Sequence, residues 1–374
     1  MPVTAISSPP LRVRHYLPGG RENGGGIGRL VGYILDAQQG GDQHSVIDTR
    51  GPRWSPLPSG YMLSKAVLSL MRDQAMARDT VHHIHVAGRG STARKLVLTA
   101  AARAVGARHV LHLHDYDYRA DFLSRPPQQQ AAVRQMFYGA DRVIVLGRRD
   151  RDTLSDLLDL DPARISVLYN CVPDPGPRCA AGRADAPLHL IFLGQLGPRK
   201  GTPDLLDALA TPGMASRDWT ATLAGDGPVE AFRARAAELG LAARVAMPGW
   251  LSEPDVRRLC AAADILVLPS HAEGFAMAVL EGMAQGLAVV TTAVGAHDEI
   301  LAHGQSCIFV PVGDPAALAG ALARLVDDAP ERARLGAAAR RLFLERLEIG
   351  GYVRDLAALH RGLLPAKSLK TGAA

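Results

Sequence analysis

The sequence predicts an α/β fold built from two doubly wound domains. Short runs of β-strand character alternate with longer stretches of helical period along the whole chain, which is typical of parallel sheets with right-handed helical crossovers. The 374 residues are too many for one ordinary core and suit two domains of about 180 residues each. A segment rich in proline, glycine and alanine interrupts the alternation near its middle, so we expect the domain boundary there.

Each strand-like run is followed by a helical stretch or a loop. The first half contains strand-like runs at 12–18, 45–49, 81–88, 109–116, 141–147 and 165–172, with helical stretches at 28–39, 61–78, 91–105, 128–138 and 148–158. The second half contains strand-like runs at 188–196, 219–225, 244–250, 265–270 and 287–293, and a helical stretch at 338–363. We therefore predict an N-terminal domain at 1–175, a linker at 176–187, a C-terminal domain at 188–345, and a segment at 346–374 whose helix packs back on the first domain.

Composition and charge narrow the class of protein. Hydrophobic residues make up 47% of the chain and charged residues 21%, as in globular proteins. No apolar run approaches the ~20 residues of a membrane-spanning helix, no secretory signal is visible at the start, and the four cysteines have no metal-ligand spacing. We therefore expect a cytoplasmic protein with reduced thiols.

The basic surplus lies in the first half. Residues 1–180 hold 23 Lys and Arg against 16 Asp and Glu, a balance of +7, whereas residues 181–374 have a balance of −2. Such a surface favours anionic partners, although a solvated arginine-rich surface explains the charge equally well. We expect lipid headgroups or a diphosphate carrier, with peripheral contact at the inner membrane, and no nucleic-acid partner.

The richest group of polar and glycine residues follows the strand at 265–270. Ligands of open parallel sheets bind at the carboxyl ends of the strands. A helix is predicted to begin near Met277, so its first amides, with the helix dipole, suit a diphosphate. Glu273 in the loop and Glu281 on the second helical turn could then grip hydroxyl groups on either side of it. The segment predicted to bind this diphosphate ligand comprises Glu273, Gly274, Phe275, Ala276, Met277 and Glu281.

A glycine-rich basic loop follows the strand that begins at residue 188. A fixed cation there could stabilise the negative charge of a diphosphate leaving group without proton transfer. Lys200 is the first candidate and Arg199 the second, although a solvated cationic turn explains either residue alone. Other loops after predicted strands add donor-site candidates, each weak by itself: Gln195, Asp226, Gly227, Trp250 and Leu251.

The first half has its own candidate residues. Gly25 and Gly26 follow the first strand, but no G-x-G-x-x-G fits because Arg29 occupies the last position, so we expect a mobile glycine loop and not a dinucleotide site. His114 ends the strand at 109–116 and could reach a ligand bound at that edge of the sheet. The D-x-D triplet at 115–117 could hold a divalent ion, but it lies away from the diphosphate loop, so we predict no metal site there.

A further anion-binding pattern follows the strand at 81–88. There, a glycine and a Ser-Thr pair precede a basic helix start. We expect Arg89, Arg94 and Lys95 to contact the phosphates of a lipid-linked acceptor.

Together these segments resemble glycosyltransferase family 4, which has the two-domain GT-B fold. The resemblance rests on FLGQLGPRKGTPDLLDAL (192–209), LAGDGP (223–228), the Glu273-x7-Glu281 segment within 244–300, and VLYNCVP (167–173). It implies two Rossmann-like domains that face a central cleft, and a retaining, metal-independent transfer without a cofactor.

The resemblance also implies a role for individual residues. Glu273 would contact the transferred sugar, Glu281 the ribose and Lys200 the diphosphate, while His114 would lie near the donor sugar and the loop of Gly25 and Gly26 beneath it. Gln195 departs from the pattern, because the family usually has Arg or Lys at that position.

We therefore expect a glycosyltransferase that uses a UDP- or GDP-sugar. The expected acceptor is a glycan or a polyprenyl-diphosphate-linked saccharide, in the biosynthesis of exopolysaccharide or lipopolysaccharide. The alternatives are a non-catalytic nucleotide-sugar-binding subunit, for which Gln195 is the only support, and an epimerase or phosphorylase of similar fold. The broken glycine fingerprint disfavours a dehydrogenase.

Overall fold

The computed structural model describes residues 10–38, 41–176 and 187–364. The chain divides into two compact units. Unit 1 comprises Met1–Val145, Arg151–Leu168 and Ile349–Ala374, and unit 2 comprises Leu146–Asp150 and Tyr169–Glu348. Within the described residues each unit contains one six-stranded sheet. The strand pairs are parallel in both sheets, so the predicted α/β class with two doubly wound sheets is confirmed.

The sheet of unit 1 has the strand order β2-β1-β3-β4-β5-β6. Its strands are β1 (Arg12–Leu17), β2 (Gln43–Asp48), β3 (Thr80–Val86), β4 (His109–Leu113), β5 (Arg142–Val145) and β6 (Ile165–Val167). Every residue of β3 and β4 is buried, as expected for central parallel strands with helices on both faces. The chain order reverses between β1 and β3, and the carboxyl ends of strands at such a point usually form the ligand site.

Helices follow the strands of unit 1. They are α1 (Gly20–Asn23), α2 (Gly25–Asp36), α3 (Pro56–Met76), α4 (Arg89–Ala104), α5 (Tyr118–Leu123), α6 (Pro127–Tyr138) and α7 (Arg148–Leu158), whose first turn groups with unit 2. A 3₁₀ turn at Pro162–Arg164 precedes β6. The last helix of the described residues, α16 (Ile349–Arg361), also belongs to unit 1 and buries Tyr352, Leu356 and His360.

The sheet of unit 2 has the strand order β12-β11-β10-β7-β8-β9. Its strands are β7 (Leu188–Leu193), β8 (Trp219–Ala224), β9 (Val245–Gly249), β10 (Ile265–Leu268), β11 (Ala288–Thr292) and β12 (Ile308–Val310). Its helices are α8 (Thr202–Leu209), α9 (Pro212–Ala215), α10 (Val229–Glu238), α11 (Glu253–Ala261), α12 (Met277–Ala284), α13 (His297–Ile300), α14 (Pro315–Asp327) and α15 (Ala329–Arg346). The chain order reverses between β7 and β10.

The structure corrects several predicted boundaries. The first domain ends at Leu168 and not at residue 175, because the following residues bond within unit 2: the Asn170 side chain donates to Phe275 O, and Val172 pairs with Glu348. Strand β6 is correspondingly shorter than predicted. The helical stretch at 338–363 is two helices, α15 and α16. Strand β12 was not predicted, and positions 177–186 of the expected linker lie outside the described residues.

None of the described helices combines the length and the apolar character that crossing a bilayer requires.

Candidate active site

The loops after β7 and β10 lie at the point where the strand order of unit 2 reverses. Strands β7 and β10 are neighbours in the sheet, with Leu190 opposite Ile265 and Ile191 opposite Leu266. Because both strands run in the same direction, the residues that follow them lie at the same edge of the sheet. The two loops predicted to bind the donor, although more than 60 residues apart in sequence, are therefore adjacent.

Glu273 lies between two cations that follow β7. Its Oε1 is 2.6 Å from Lys200 Nζ and 3.3 Å from Arg199 Nη1. The Glu273 side chain is only 8% exposed and that of Lys200 13%, so water screens this pair less than an ordinary surface pair. Two cations share one carboxylate, which leaves one excess positive charge beside a buried acid. This charge balance suits an anionic ligand that also presents hydroxyl groups.

Backbone contacts fix the position of the cations. The His271 N–H donates to Arg199 O at 2.7 Å, and Arg199 Nη1 donates to Ala272 O at 3.0 Å. Gly201 has a φ of +71°, and a Cβ atom there would lie 2.1 Å from Pro269 O. Glycine at this position therefore permits the close approach of the loop after β7 to the loop after β10.

Helix α12 presents its N-terminus at the same edge. Among the described residues, none accepts a hydrogen bond from the backbone N–H of Phe275 or Met277, and the Ala276 N–H lies 3.4 Å from His297 Nε2. Gly274, Phe275 and Ala276 are buried, and Met277 is half-buried. Unpaired amides at a helix start, with the helix dipole, attract an anion. Glu281 is half-buried on the second turn of the same helix.

His297 positions this helix start and was not among the site residues predicted from the sequence. Its Nδ1 lies 3.0 Å from Thr292 O, so Nδ1 carries the proton and the Nε2 atom accepts from Ala276 N–H. Burial lowers the pKa of His297, which favours the neutral ring needed for this pattern. Its ring packs edge-on against Phe275, 5.9 Å between centroids. His297 lies in the sequence segment 244–300 that carries the family resemblance, which was the available signal.

The remaining donor-site candidates of unit 2 follow other strands. Gly227 lies against the loop after β7, since its Cβ atom would be 2.5 Å from Leu196 O, and Leu196 N–H donates to Asp226 O at 2.7 Å. Gln195, Asp226 and Gly227 are exposed, as is 61% of Trp250, and Leu251 is half-buried. Their placement in the donor site stays a prediction.

Unit 1 places His114 and Arg89 on one cavity of about 370 Å³ at the carboxyl ends of β4 and β3. His114 Nε2 lies 2.9 Å from His85 Nδ1, and burial lowers the pKa of His114 to about 3, so the ring is neutral at pH 7. Asp115 and Asp117 of the D-x-D triplet line the same cavity. A Cβ atom at Gly88 would lie 1.6 Å from Asp115 Oδ2, so this turn requires glycine.

Two predictions for unit 1 need correction. Lys95 is fully buried and its Nζ donates to Thr49 Oγ1 at 2.7 Å, so it cannot contact an acceptor phosphate. The neighbouring Arg94 is half-buried and Arg89 is exposed. Gly25 and Gly26 do not form a loop but begin α2. An added Cβ atom would meet nothing within 4 Å at either position, so the space beside them is open.

The chain matches known families over most of its length. Residues 20–171 match the family described as glycosyl transferase 4-like domain, and residues 180–342 match glycosyl transferases group 1. The D-inositol 3-phosphate glycosyltransferase of Corynebacterium efficiens is 31% identical over 62% of this chain and 59% of the relative. The Mycolicibacterium vanbaalenii enzyme of the same name is 31% identical over 65% of this chain and 60% of the relative. The chain thus spans about three-fifths of the length of these relatives.

Solved structures share the fold. A sucrose-phosphate synthase from Thermosynechococcus elongatus superposes with a TM-score of 0.75 at 18% identity, covering 94% of this chain and 99% of that chain. The Anabaena protein HepE in complex with UDP has a TM-score of 0.73 at 18% identity, with 94% and 100% covered. The family matches and the fold agree with the resemblance drawn from the motifs: the chain belongs to the glycosyltransferases of family 4 and has the GT-B fold.

Proposed function

We propose that this chain is a retaining, metal-independent glycosyltransferase that uses a nucleotide-diphosphate sugar. The observation that carries the proposal is the position of Glu273, buried between Lys200 and Arg199 at the strand-order reversal of unit 2 and next to the start of α12.

The arrangement suits a diphosphate leaving group. When the bond between the anomeric carbon and the phosphate oxygen breaks, negative charge develops on the diphosphate. Lys200, Arg199 and the first amides of α12 are fixed positive groups that can stabilise this charge. These protein cations supply the charge that a divalent ion provides in other transferases, which is the basis for proposing a metal-independent reaction.

The two acids are proposed to hold the sugars on either side of the diphosphate. Glu273 accepts hydrogen bonds from hydroxyl groups of the transferred sugar, and Glu281 accepts them from the ribose. His114 is proposed to hydrogen-bond the transferred sugar. Retention follows if the acceptor oxygen attacks from the face that the diphosphate leaves. The acceptor proton then passes to a diphosphate oxygen.

A UDP-sugar is the first donor to test, with a GDP-sugar as the second. HepE, one of the proteins of similar fold, was solved in complex with UDP-glucose. That likeness is one of fold, so the base and the sugar remain part of the proposal.

The proposed acceptor is a glycan or a lipid-linked saccharide that carries phosphate. Arg89 lines the same cavity as His114 and is exposed, so it is available to a phosphate group. The relatives from Corynebacterium efficiens and Mycolicibacterium vanbaalenii also have a phosphorylated acceptor, D-inositol 3-phosphate, in their name. If the acceptor is a lipid-linked saccharide, the proposed role is in exopolysaccharide or lipopolysaccharide biosynthesis.

Helix α3 supports contact with an anionic membrane. One face of α3 is buried through Ala66 and Leu70, whereas Leu57, Tyr61 and Leu68 are exposed by 86%, 62% and 64%. The exposed positions recur at four- and seven-residue spacing and therefore form a stripe along the helix. The exposed cations Lys65 and Arg72 lie along the same stripe. Apolar side chains beside cations are typical of helices that lie at a lipid interface.

The transfer proposal is tested by donor binding and turnover. A melting-temperature screen against UDP-, GDP-, ADP- and dTDP-sugars identifies the donor, because a ligand far above its dissociation constant raises the melting temperature. Release of sugar from that donor is then measured for wild type, Glu273→Gln and the control Glu238→Gln, an exposed acid on α10. We expect Glu273→Gln to abolish release and Glu238→Gln to preserve it.

Each other outcome identifies an alternative. Donor binding without any release would indicate a nucleotide-sugar-binding subunit, and interconversion of the donor without acceptor would indicate an epimerase. NMR of the first product tests retention, and an inverted anomeric centre would contradict it.

Sedimentation with phosphatidylglycerol and phosphatidylcholine vesicles tests membrane contact. We expect binding to the anionic vesicles only, weakened by Leu57→Ser together with Leu68→Ser; unchanged binding by that variant would refute the role of α3.

A further inference from the structure

Histidines of three neighbouring strands line up on one face of the sheet of unit 1. The strand register places His15 opposite His83, and His85 opposite His112. Because side chains alternate between faces, His83 and His85 share a face, as do His112 and His114. More than half of the 13 histidines in the chain meet here, including one from β2 and one from α16. We call this set the histidine cluster: His15, His44, His83, His85, His112, His114 and His360.

We propose that His85, His112 and His114 form a binding site for a divalent transition-metal ion of the Zn²⁺ class. One ring nitrogen of each lies within 4.8 Å of one ring nitrogen of the other two. His85 Nδ1 and His114 Nε2 are already 2.9 Å apart. Three nitrogens bound to Zn²⁺ at 2.0–2.1 Å lie about 3.4 Å from one another, so rotations of the rings and small strand shifts suffice to close the site.

An unpaired buried nitrogen supports a ligand at this position. His112 is fully buried, and its Nδ1 lies 3.2 Å from His83 Nε2. No described residue offers a hydrogen-bond partner to His112 Nε2. A buried polar atom without a partner is unfavourable, and coordination to a bound ion would give this nitrogen a partner.

Access and charge favour this triad over the second one in the cluster. His15, His83 and His85 have the same proximity of ring nitrogens, but all three are fully buried. His114 instead lines the cavity of about 370 Å³, so an ion can reach it and keep a water ligand there. Asp115 and Asp117 line the same cavity, against one arginine, Arg89, whereas Asp121 also lines it but is already paired with Arg125. These carboxylates attract a dication and partly offset the cost of placing it next to neutral rings.

The ligand type selects the class of ion. Imidazole nitrogen suits Zn²⁺, Co²⁺, Ni²⁺ and Cu²⁺, whereas Mg²⁺ and Ca²⁺ prefer oxygen ligands. The site is thus distinct from the diphosphate-bound ion that a D-x-D triplet would hold. An ion on His114 would also hold the ring that is proposed to contact the donor sugar, so it should inhibit transfer. This consequence rests on the proposed function, whereas the binding itself does not.

The test is a Co²⁺ titration of the full chain, without affinity-tag histidines and after removal of metal by EDTA and dialysis. We expect one saturable Co²⁺ per chain, seen in its visible absorption bands, and displacement by Zn²⁺, which binds such sites more tightly. His114→Gln and His112→Gln should each weaken binding by about 100-fold or more, since they remove a direct ligand. His15→Gln removes a ligand of the second triad but, in the proposed triad, only the 3.1 Å hydrogen-bond partner of His85, so it should weaken binding less than either of these variants.

His109→Gln is the matched control, because His109 is a buried histidine of β4 outside both triads. Circular dichroism and melting temperature of the metal-free variants establish that each is folded. The proposal is overturned if the wild type takes up no stoichiometric Co²⁺, or if folded His114→Gln binds it as tightly as wild type. It is also overturned if His15→Gln abolishes binding while His114→Gln retains it, because the ion would then occupy the second triad.

Discussion

Replacing Lys200 by alanine removes the ammonium that lies 2.6 Å from Glu273 Oε1. Breaking a buried ion pair by removing one partner costs about 3–5 kcal/mol of folding stability. Here Arg199 Nη1 remains 3.3 Å from the same oxygen and retains part of the compensation. We therefore expect Lys200→Ala to lower the free energy of unfolding by about 2 kcal/mol, below the usual range.

The expected effect on catalysis is larger than the effect on stability. Loss of one fixed group that stabilises transition-state charge lowers kcat by about 10²–10³, or roughly 3–4 kcal/mol. The diphosphate gains charge as the glycosidic bond breaks, so kcat should fall more than KM rises. Lys200→Arg keeps the charge and should recover part of the rate, although a guanidinium has a different shape from an ammonium.

Initial rates with the donor identified in the melting screen, together with melting temperatures, test this reasoning. Arg235→Ala is the control, because Arg235 is an exposed cation of unit 2 that pairs with Asp207 and Glu238 on the surface. It should leave kcat within about threefold of wild type. A folded Lys200→Ala enzyme with kcat in that same range would refute the assignment of Lys200 to the leaving group.

Three further predictions follow from the structure. Gly201→Ala should lower the free energy of unfolding in urea by about 2 kcal/mol or more, because φ is +71° and the new Cβ would clash with Pro269 O. The control Gly320→Ala, inside α14 with open space around it, should be neutral or stabilising. Equal effects of the two variants would contradict the strain argument. Transfer activity should survive EDTA, and a complete loss restored by Mn²⁺ or Mg²⁺ would refute the metal-independent mechanism. Burial lowers the pKa of His114 and His360 to about 3, below the unfolded value near 6.5, so the unfolded state binds protons first on acidification. Each of these histidines should therefore lower the free energy of unfolding by about 2 kcal/mol between pH 7 and pH 5. His360→Gln should make this pH dependence less steep, and an unchanged slope would contradict the reasoning.

The sequence predicted the parts of the candidate site that depend on local pattern. Glu273 and Lys200 were found because each follows a run of strand-like residues, in a loop with glycines. Their proximity depends on β7 and β10 being neighbours at the strand-order reversal, which the doubly wound class predicts. The direct ion pair between them was not predicted, because it depends on side-chain positions that the turn at Gly201 determines.

Other features depend on contacts between distant segments and left no local signal. Lys95 belongs to a basic helix start, yet it is buried because α4 directs its ammonium to Thr49, which follows β2. The histidine cluster requires the register of three strands, which no local pattern of residues specifies. The role of His297 depends on the backbone of Ala276, 21 residues earlier in the chain.

The position of α16 has a consequence for the order in which the two units fold during translation. Unit 2 is drawn almost entirely from one uninterrupted stretch, Tyr169–Glu348, whereas unit 1 needs Ile349–Arg361 to bury Tyr352, Leu356 and His360. While the ribosome translates the intervening 180 residues, unit 1 lacks this cover and keeps apolar surface open to chaperones and to aggregation. Unit 2, although encoded later, has all its strands before unit 1 is complete, so the half of the protein that is translated first is the last to be finished.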